Sequence, residues 1–556
     1  MIRPTCWMRR YLRIVRSTPT ALLIGFSITS CSGGGGTGGP PPPEPDFALT
    51  VSGAVSVVQG ATTSPITVGV TALNGFTGSV SIAIAALPSG ATTAPSFPLS
   101  VSAGAKQQFT ITVPATTPTG DTAVALTGTS GSTSHSATIT LTTGAVQTSQ
   151  SAGILYLQST VNGHTARIGL NTAWGGSIVE VSLDGTNFVN EHDTGREVQP
   201  ALYDGAGMYT SFNCGPCIGT WSWNPVLGGD RYDHGSPVLS SHLGAALLDI
   251  TAQPLEWNPD DKGGGPNTPI TSDTTVEQIV SLVPGYPLAF KIHLIVTHTG
   301  SDQHYNAGQE LPAVYVNSPF SILSYYGGTN PWTNAPTTSM SSVPALPADT
   351  GDLYSSEEWA AYSDVSGQGL TVFVPGQYPF LTAFSAPGGG GSGPMGDTTY
   401  YFRPYTTFSF SPSTTLEEDV YLIPGNINTA RSMVYDLHQS LSATNTFTPI
   451  GTVDAPSANA TISGTNVPFA GWALAPVSVT QVQLIIDGAG AIATGLNVNR
   501  PDVVAAYPNF APLQCGWNVT FDSTKLTNGT HKISANITDA SGNVAILPPV
   551  GVTVSN

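Results

Sequence analysis

Charge is so scarce in this chain that most helical architectures are closed to it. Only 9% of residues are Asp, Glu, Lys or Arg, against roughly 25% in ordinary globular proteins. A solvent-exposed helix builds its outer face from Glu, Lys and Arg at regular spacing, and few such faces are available here. The 62 Gly and 45 Pro interrupt the rest, and both residue types disfavour helix interiors and favour turns. An all-β chain with many turns follows. With 40% hydrophobic residues over 556 positions, the chain is too apolar for general disorder and long enough to bury several cores, which at about 150 residues per domain means three or four units.

The acids outnumber the bases 34 to 16, a formal net charge of −18. Arg3, Arg9, Arg10, Arg13 and Arg16 lie in a leader that holds no acid, so its removal lowers the net charge by five more, to −23. Nucleic acid binding relies on clustered cations, so DNA and RNA are poor partners, and no basic patch suited to a polyanionic glycan is visible.

Those arginines precede a short apolar run at 21–28, too short to span a bilayer, which takes about 20 apolar residues. The run ends in Ile28-Thr29-Ser30-Cys31 and a Gly/Pro-rich tether, 31–46. This resembles the bacterial lipobox, which implies a signal peptide at 1–30, lipidation of Cys31 and attachment to a membrane at the cell envelope. Each buried acyl methylene adds ~0.8 kcal/mol to such anchoring.

From 47 to 143, apolar and small polar residues alternate in short runs (47–51, 66–72, 79–85, 99–102, 108–113, 123–127, 136–141), divided by turns such as Asn74-Gly75 and Pro118-Thr119-Gly120. That cadence predicts a β-sandwich. The segment Leu73-Asn74-Gly75-Phe76-Thr77-Gly78 with Leu87-Pro88-Ser89-Gly90 resembles an Ig-like repeat of secreted bacterial proteins and is read as a spacer. Residues 450–556 carry Gly471-Trp472-Ala473, Asp487-Gly488, Arg500-Pro501-Asp502, Gly516-Trp517 and Asn528-Gly529, and resemble a second bacterial Ig-like module. There Arg500 and Asp502 are read as a structural ion pair and Trp472 as a core residue.

Between these modules, 150–440 holds Trp174, Trp221, Trp223, Trp257, Trp332 and Trp359 and most of the His and acids. Its opening, Trp174-Gly175-Gly176 followed by the strand-like 177–183 and Asp184-Gly185, resembles galactose-mutarotase-like domains. The resemblance covers about 290 residues of architecture and implies a central antiparallel β-supersandwich flanked by two Ig-like β-sandwiches, with a sugar-binding groove on one face.

Four clusters carry the candidate chemistry. Asp193, Arg196, Glu197 and Gln199 lie in a run with five ionisable residues in seven positions, a concentration foreign to the rest of the chain. Arg196 is a fork for hydroxyls or carboxylate with an adjacent acid, or else an ion pair with Asp193 that holds a turn. Trp221 and Trp223, followed by Asp230, Tyr232 and His234, combine flat aromatic faces with hydroxyl-binding side chains, the makings of a sugar groove; core packing is the competing explanation. Glu310 and Glu358 each open an apolar run, where partial burial raises a carboxyl pKa. They form the expected pair for glycoside hydrolysis, which needs two carboxylates, with His234 as acid–base or binding partner.

Cys214-Gly215-Pro216-Cys217 spells a redox dithiol but lacks the following helix such chemistry needs, so Cys214 and Cys217 are expected to form a loop-stapling disulfide, with Cys515 left over and buried. No cofactor is expected and no metal, since neither a second Cys pair nor a spaced His pair accompanies the dithiol. No serine-hydrolase elbow, phosphate loop, zincin motif or calcium loop occurs. The reading is an anchored glycoside hydrolase acting on a polysaccharide; a non-catalytic glycan-binding or adhesion protein and a mutarotase-type epimerase are the alternatives.

Overall fold

A computed structural model describes residues 43–190, 197–207, 220–341, 352–376, 379–385, 399–441, 449–475, 478–507 and 514–556. The leader, Cys31, Asp193, Arg196, Cys214 and Cys217 lie outside them. The fold is all-β: a central antiparallel supersandwich flanked by two smaller β-sandwiches.

Turn chemistry accounts for much of the connectivity. Asn74-Gly75, Asn162-Gly163, Asp184-Gly185 and Asp487-Gly488 each place two successive residues at positive φ, between 49° and 82°. This is the two-residue hairpin geometry that Asn-Gly and Asp-Gly favour.

In the N-terminal sandwich, a four-stranded sheet built on Asp46–Val51, Ile66–Leu73, Lys106–Thr112 and Thr92–Ala94 faces a second sheet across a core of Phe47, Val68, Ile82, Phe109, Leu126 and Ile139. That second sheet does not stop at the sandwich. The 19-residue strand Thr133–Ser151 pairs with Gly120–Ser130 along its first half and with Ile154–Val161 along its second. One continuous sheet therefore passes from the N-terminal unit into the hairpins Ile154–Val161, His164–Asn171 and Ser177–Leu183. At the changeover stands Gly144, where a Cβ would come within 2.5 Å of the Thr160 carbonyl; only glycine lets the two strands approach this closely.

The central unit packs two sheets face to face. A seven-stranded sheet has the order Leu255–Glu256, Pro225–Val226, Val198–Ala201, His304–Asn317, Thr399–Phe410, Pro379–Ser385, Asp352–Tyr354. A nine-stranded sheet has Tyr286–His298, Thr415–Asn426 and Gln368–Phe373 at its middle. Period-two alternation sends one set of residues inward. Val314, Val316, Phe402 and Phe410 from the first sheet meet Ile292, Leu294, Val420, Leu422 and Val372 from the second in a single apolar core. The residues between them point out, and the outer faces differ. On the nine-stranded sheet, Phe373, Tyr421 and Ile423 are covered by the helix Ile427–Ser440 through Ala430, Val434 and Leu437. On the seven-stranded sheet, Ala313, Tyr315 and Tyr401 form a small cluster of their own.

The C-terminal unit pairs a three-stranded sheet (Ile450–Ala455, Val467–Leu474, Gly516–Phe521) with a six-stranded one centred on Gly529–Asp539. Trp517 is fully buried between them. Trp472 is only half-buried, against Tyr507, so the core tryptophan of this unit is Trp517. Arg500 pairs with Asp502 and Asp454 as a surface network. Cys515 is a buried free thiol, as expected from the sequence. Ser409 of the central unit accepts a hydrogen bond from the Ile546 amide at 2.9 Å, joining the two units.

Candidate functional site

The outer face of the seven-stranded sheet carries a charged and aromatic cluster. A register irregularity between Glu310 and Val314 breaks the alternation of His304–Asn317, so that Glu310 and Tyr315 both lie beside Tyr401 and Arg403 of Thr399–Phe410, on the side away from the core. The Glu310 carboxylate accepts from the Tyr203 hydroxyl at 2.6 Å and from the Arg403 guanidinium. Arg403 also lies over the Tyr203 ring, 5.6 Å from its centroid. Tyr203 meets Trp221 edge to face at 5.2 Å, and Tyr315 packs on Tyr401 at 4.8 Å. Burial, reinforced by the Glu310 charge and opposed by Arg403, pushes the Tyr203 phenol well above its ordinary range. It therefore acts as a hydrogen-bond donor. Fully buried Gln309 holds Tyr203 from behind, accepting from its amide at 2.8 Å and donating to its carbonyl at 3.0 Å. The ion pair carries no net charge and is largely buried, its side chains 12% and 8% exposed, while Trp221 beside Tyr203 is half-buried.

The other predicted residues are distributed more widely. Glu197 is buried just before the neighbouring strand Val198–Ala201, which carries buried Gln199, and the Gln199 carboxamide accepts from the Gly228 amide, anchoring the loop that follows. In that loop Asp230 is buried and accepts from the amides of Tyr232 and His234 at 2.9 and 3.1 Å, while its second oxygen meets the His234 ring at 2.8 Å. Tyr232 donates to Asp260 at 2.6 Å. Asp230 thus shapes its own loop. Trp221 and Trp223 do not share a platform: Trp221 is half-buried beside Tyr203, but Trp223 is 2% exposed and stacks on His304 at 3.8 Å. The local chain is not an extended strand here, so residues two apart face different surroundings.

The expected carboxylate pair, Glu310 and Glu358, is divided between the two sheets. Glu358 precedes the strand Trp359–Ser363 of the nine-stranded sheet and meets His438 of the covering helix at 3.6 Å. Its neighbour Glu357, fully buried, takes two 2.8 Å bonds from Arg431 and others from Tyr435 and Trp359. Burial alone would raise the Glu357 carboxyl, but these partners hold it below its usual range. Glu310 and Glu358 therefore stand on opposite outer sides of the supersandwich, with the apolar core between. Both open apolar runs, and such runs occur on either sheet, so the pattern does not say which face a residue joins.

A further cluster joins Asp273, at the start of Thr274–Val283, to His298, Asp302 and His304, which flank the turn into His304–Asn317. Asp273 approaches His298 Nε2 at 3.2 Å and accepts from the Trp223 indole at 3.1 Å. Burial would raise the Asp273 carboxyl, but its interactions, led by the hydrogen bond from the Trp223 indole, hold it below the ordinary range. The spacing of His298, Asp302 and His304 around a strand-to-strand turn is the signal available in the sequence; Arg403 and Tyr203 leave no comparable one.

Residues 449–535 match the model of a bacterial Ig domain. Among solved structures, the chain is similar to a protein described as an aldose 1-epimerase from Klebsiella pneumoniae, at 11% identity and TM-score 0.29 over 58% of this chain and 89% of that one. It is also similar to the heparan sulfate lyase HepC of Pedobacter heparinus, at 8% identity and TM-score 0.26 over 64% of this chain, and to an endo-β-1,4-mannanase of Thermotoga petrophila, at 9% identity and TM-score 0.15 over 23% of it. The chain spans 43% of the lyase and 24% of the mannanase. Comparison with curated proteins finds no match.

Proposed function

We propose that this is an exported, envelope-anchored protein that recognises a neutral or weakly charged glycan on the outer face of its seven-stranded sheet. The observation that carries the reading is the Glu310–Arg403–Tyr203 cluster with Trp221 at its side. Sugar hydroxyls both donate and accept. A guanidinium beside a carboxylate answers both needs without net charge, and a half-exposed indole suits the apolar face of a ring. The chain's acidity opposes a polyanionic ligand. The lipobox-like 28–31 and the Ig-type module at 449–535 support export and surface display.

Recognition without cleavage is the better-supported form. Hydrolysis calls for two carboxylates on one substrate, and Glu358 lies on the far side of the sandwich from Glu310.

The test is affinity electrophoresis and pull-down on a panel of polysaccharides, with a reducing-end assay alongside. Wild type should bind at least one neutral polysaccharide and release no ends. Trp221→Ala and Arg403→Gln should each weaken binding about tenfold or more, a loss of about 1.4 kcal/mol. Unchanged affinity in both variants refutes the site. Reducing-end release that disappears in Glu310→Gln replaces the binder with a hydrolase. Labelled palmitate entering a Cys31→Ala variant would remove the anchor.

A further inference from the structure

We infer that Asp273, His298, Asp302 and His304 form a binding site for one divalent transition cation of the zinc class. One ligand atom from each lies within 4.8 Å of every other. His298 Nδ1 is 3.0 Å from the Ser411 carbonyl and His304 Nδ1 is 3.0 Å from an Asp204 carboxylate oxygen. Carbonyls and carboxylates only accept, so both rings must donate from Nδ1. In a neutral imidazole that leaves a bare lone pair on Nε2.

Those lone pairs face more lone pairs. His298 Nε2 lies 3.2 Å from Asp273 and 3.4 Å from Asp302, and His304 Nε2 lies 3.7 Å from Asp302. His304 Nε2 is buried and has no hydrogen-bond partner. Acceptors at these separations need a positive charge among them. Metal bonds of about 2.0–2.1 Å in a tetrahedron put neighbouring ligand atoms about 3.3 Å apart, close to these spacings. Imidazole and carboxylate together suit zinc and its first-row neighbours better than calcium or magnesium, which prefer oxygen alone.

The surroundings are those of a ligand set held in place. Trp223 donates to the other Asp273 oxygen, and Asp204 is itself fixed by the amides of Tyr305 and Ala206 at 2.9 and 2.8 Å. Such outer partners orient metal ligands and settle the imidazole tautomer. Between the ligands, space is kept by a glycine. A Cβ on Gly300 would stand 2.2 Å from Asp273 Oδ2, 2.5 Å from His298 Nε2 and 2.8 Å from Asp302 Oδ1. Asp302 is 63% exposed, which gives the ion a way in.

The full chain, stripped with a chelator and titrated with zinc chloride alone, tests this. One equivalent should bind and survive dialysis, the thermal midpoint should rise, and tryptophan fluorescence should change because Trp223 stacks on His304. Magnesium and calcium should produce neither change. His298→Ala should weaken binding more than about 100-fold, and Asp204→Asn, an outer partner, by about 10- to 100-fold. Gly300→Ala and the exposed Asp302→Asn serve where a histidine variant fails to fold; both should bind markedly more weakly. The inference is overturned if stripped wild type takes up no zinc and its fluorescence is unmoved, which would mean that protonated imidazoles supply the charge. It is equally overturned if Gly300→Ala and Asp302→Asn bind like wild type, or if binding disappears in Cys214→Ser instead.

Discussion

Glu418 provides a quantitative check on the packing of the central core. It sits on Thr415–Asn426 in the inward register of Leu416, Val420 and Leu422, and both its oxygens lie within 2.9 Å of the Thr406 hydroxyl of the facing sheet. Burial pushes its carboxyl from 4.5 up to about 8, with Asp419 adding to the rise and Thr406 opposing it. The folded pKa lies above the unfolded one, so the folded state holds the proton longer. The stabilisation is fully present below the unfolded pKa and is lost as pH rises through the folded one. At about 1.36 kcal/mol per pKa unit, ionisation in the unfolded chain removes about 2 kcal/mol by pH 6 and about 5 by pH 9, a further loss of about 3 kcal/mol. Glu418→Gln keeps the shape and does not titrate. Urea unfolding of both proteins at pH 6, 7, 8 and 9, followed by tryptophan fluorescence, should show the variant gaining about 3 kcal/mol on wild type across that range. Curves that stay parallel would mean Glu418 is already ionised in the fold, and the dry inter-sheet environment assigned to it would be wrong.

Three further outcomes follow from the same structure. Arg431→Met leaves the fully buried Glu357 without its bidentate partner and should cost about 3–5 kcal/mol, read by chemical denaturation; no measurable loss would place Glu357 in contact with water. Gly175→Ala should destabilise by more than about 2 kcal/mol in thermal unfolding, because φ is 62° and the new Cβ would stand 2.2 Å from the Leu227 carbonyl, which adds overlap to the left-handed penalty of about 1–2 kcal/mol. Ser409→Ala removes the acceptor of the Ile546 amide and should cost about 1 kcal/mol, with faster limited proteolysis between the central and C-terminal units.

The secondary structure was largely legible because its causes are local. Alternation over 66–72 and 79–85 marks strands that the fold contains, and Asn74-Gly75, Asp184-Gly185 and Asp487-Gly488 take the positive φ values that such residues adopt readily. The helix Ile427–Ser440 is marked locally by its Asn426 cap and by Ala430, Val434 and Leu437 at helical spacing, but the face it docks on joins the preceding strand to the distant strand Gln368–Phe373. The polar residues were identified better than they were grouped. Glu310 stands out in the sequence, but its partners Tyr203 and Arg403 lie 107 and 93 positions away. Trp223 has the sequence context of a sugar platform, yet in the fold it is buried as the stacking partner of His304.

What the order of residues determined by itself was the class of fold, because scarce charge, abundant glycine and proline, and period-two patterning leave little besides twisted antiparallel strands and tight turns. What the tertiary structure decided was which face each strand turns outward and which distant strands lie side by side. A strand's alternation defines two faces without naming either, and only the pairing of sheets around a common core assigns Glu310 to one exterior, Glu358 to the other and Glu418 to the dry space between.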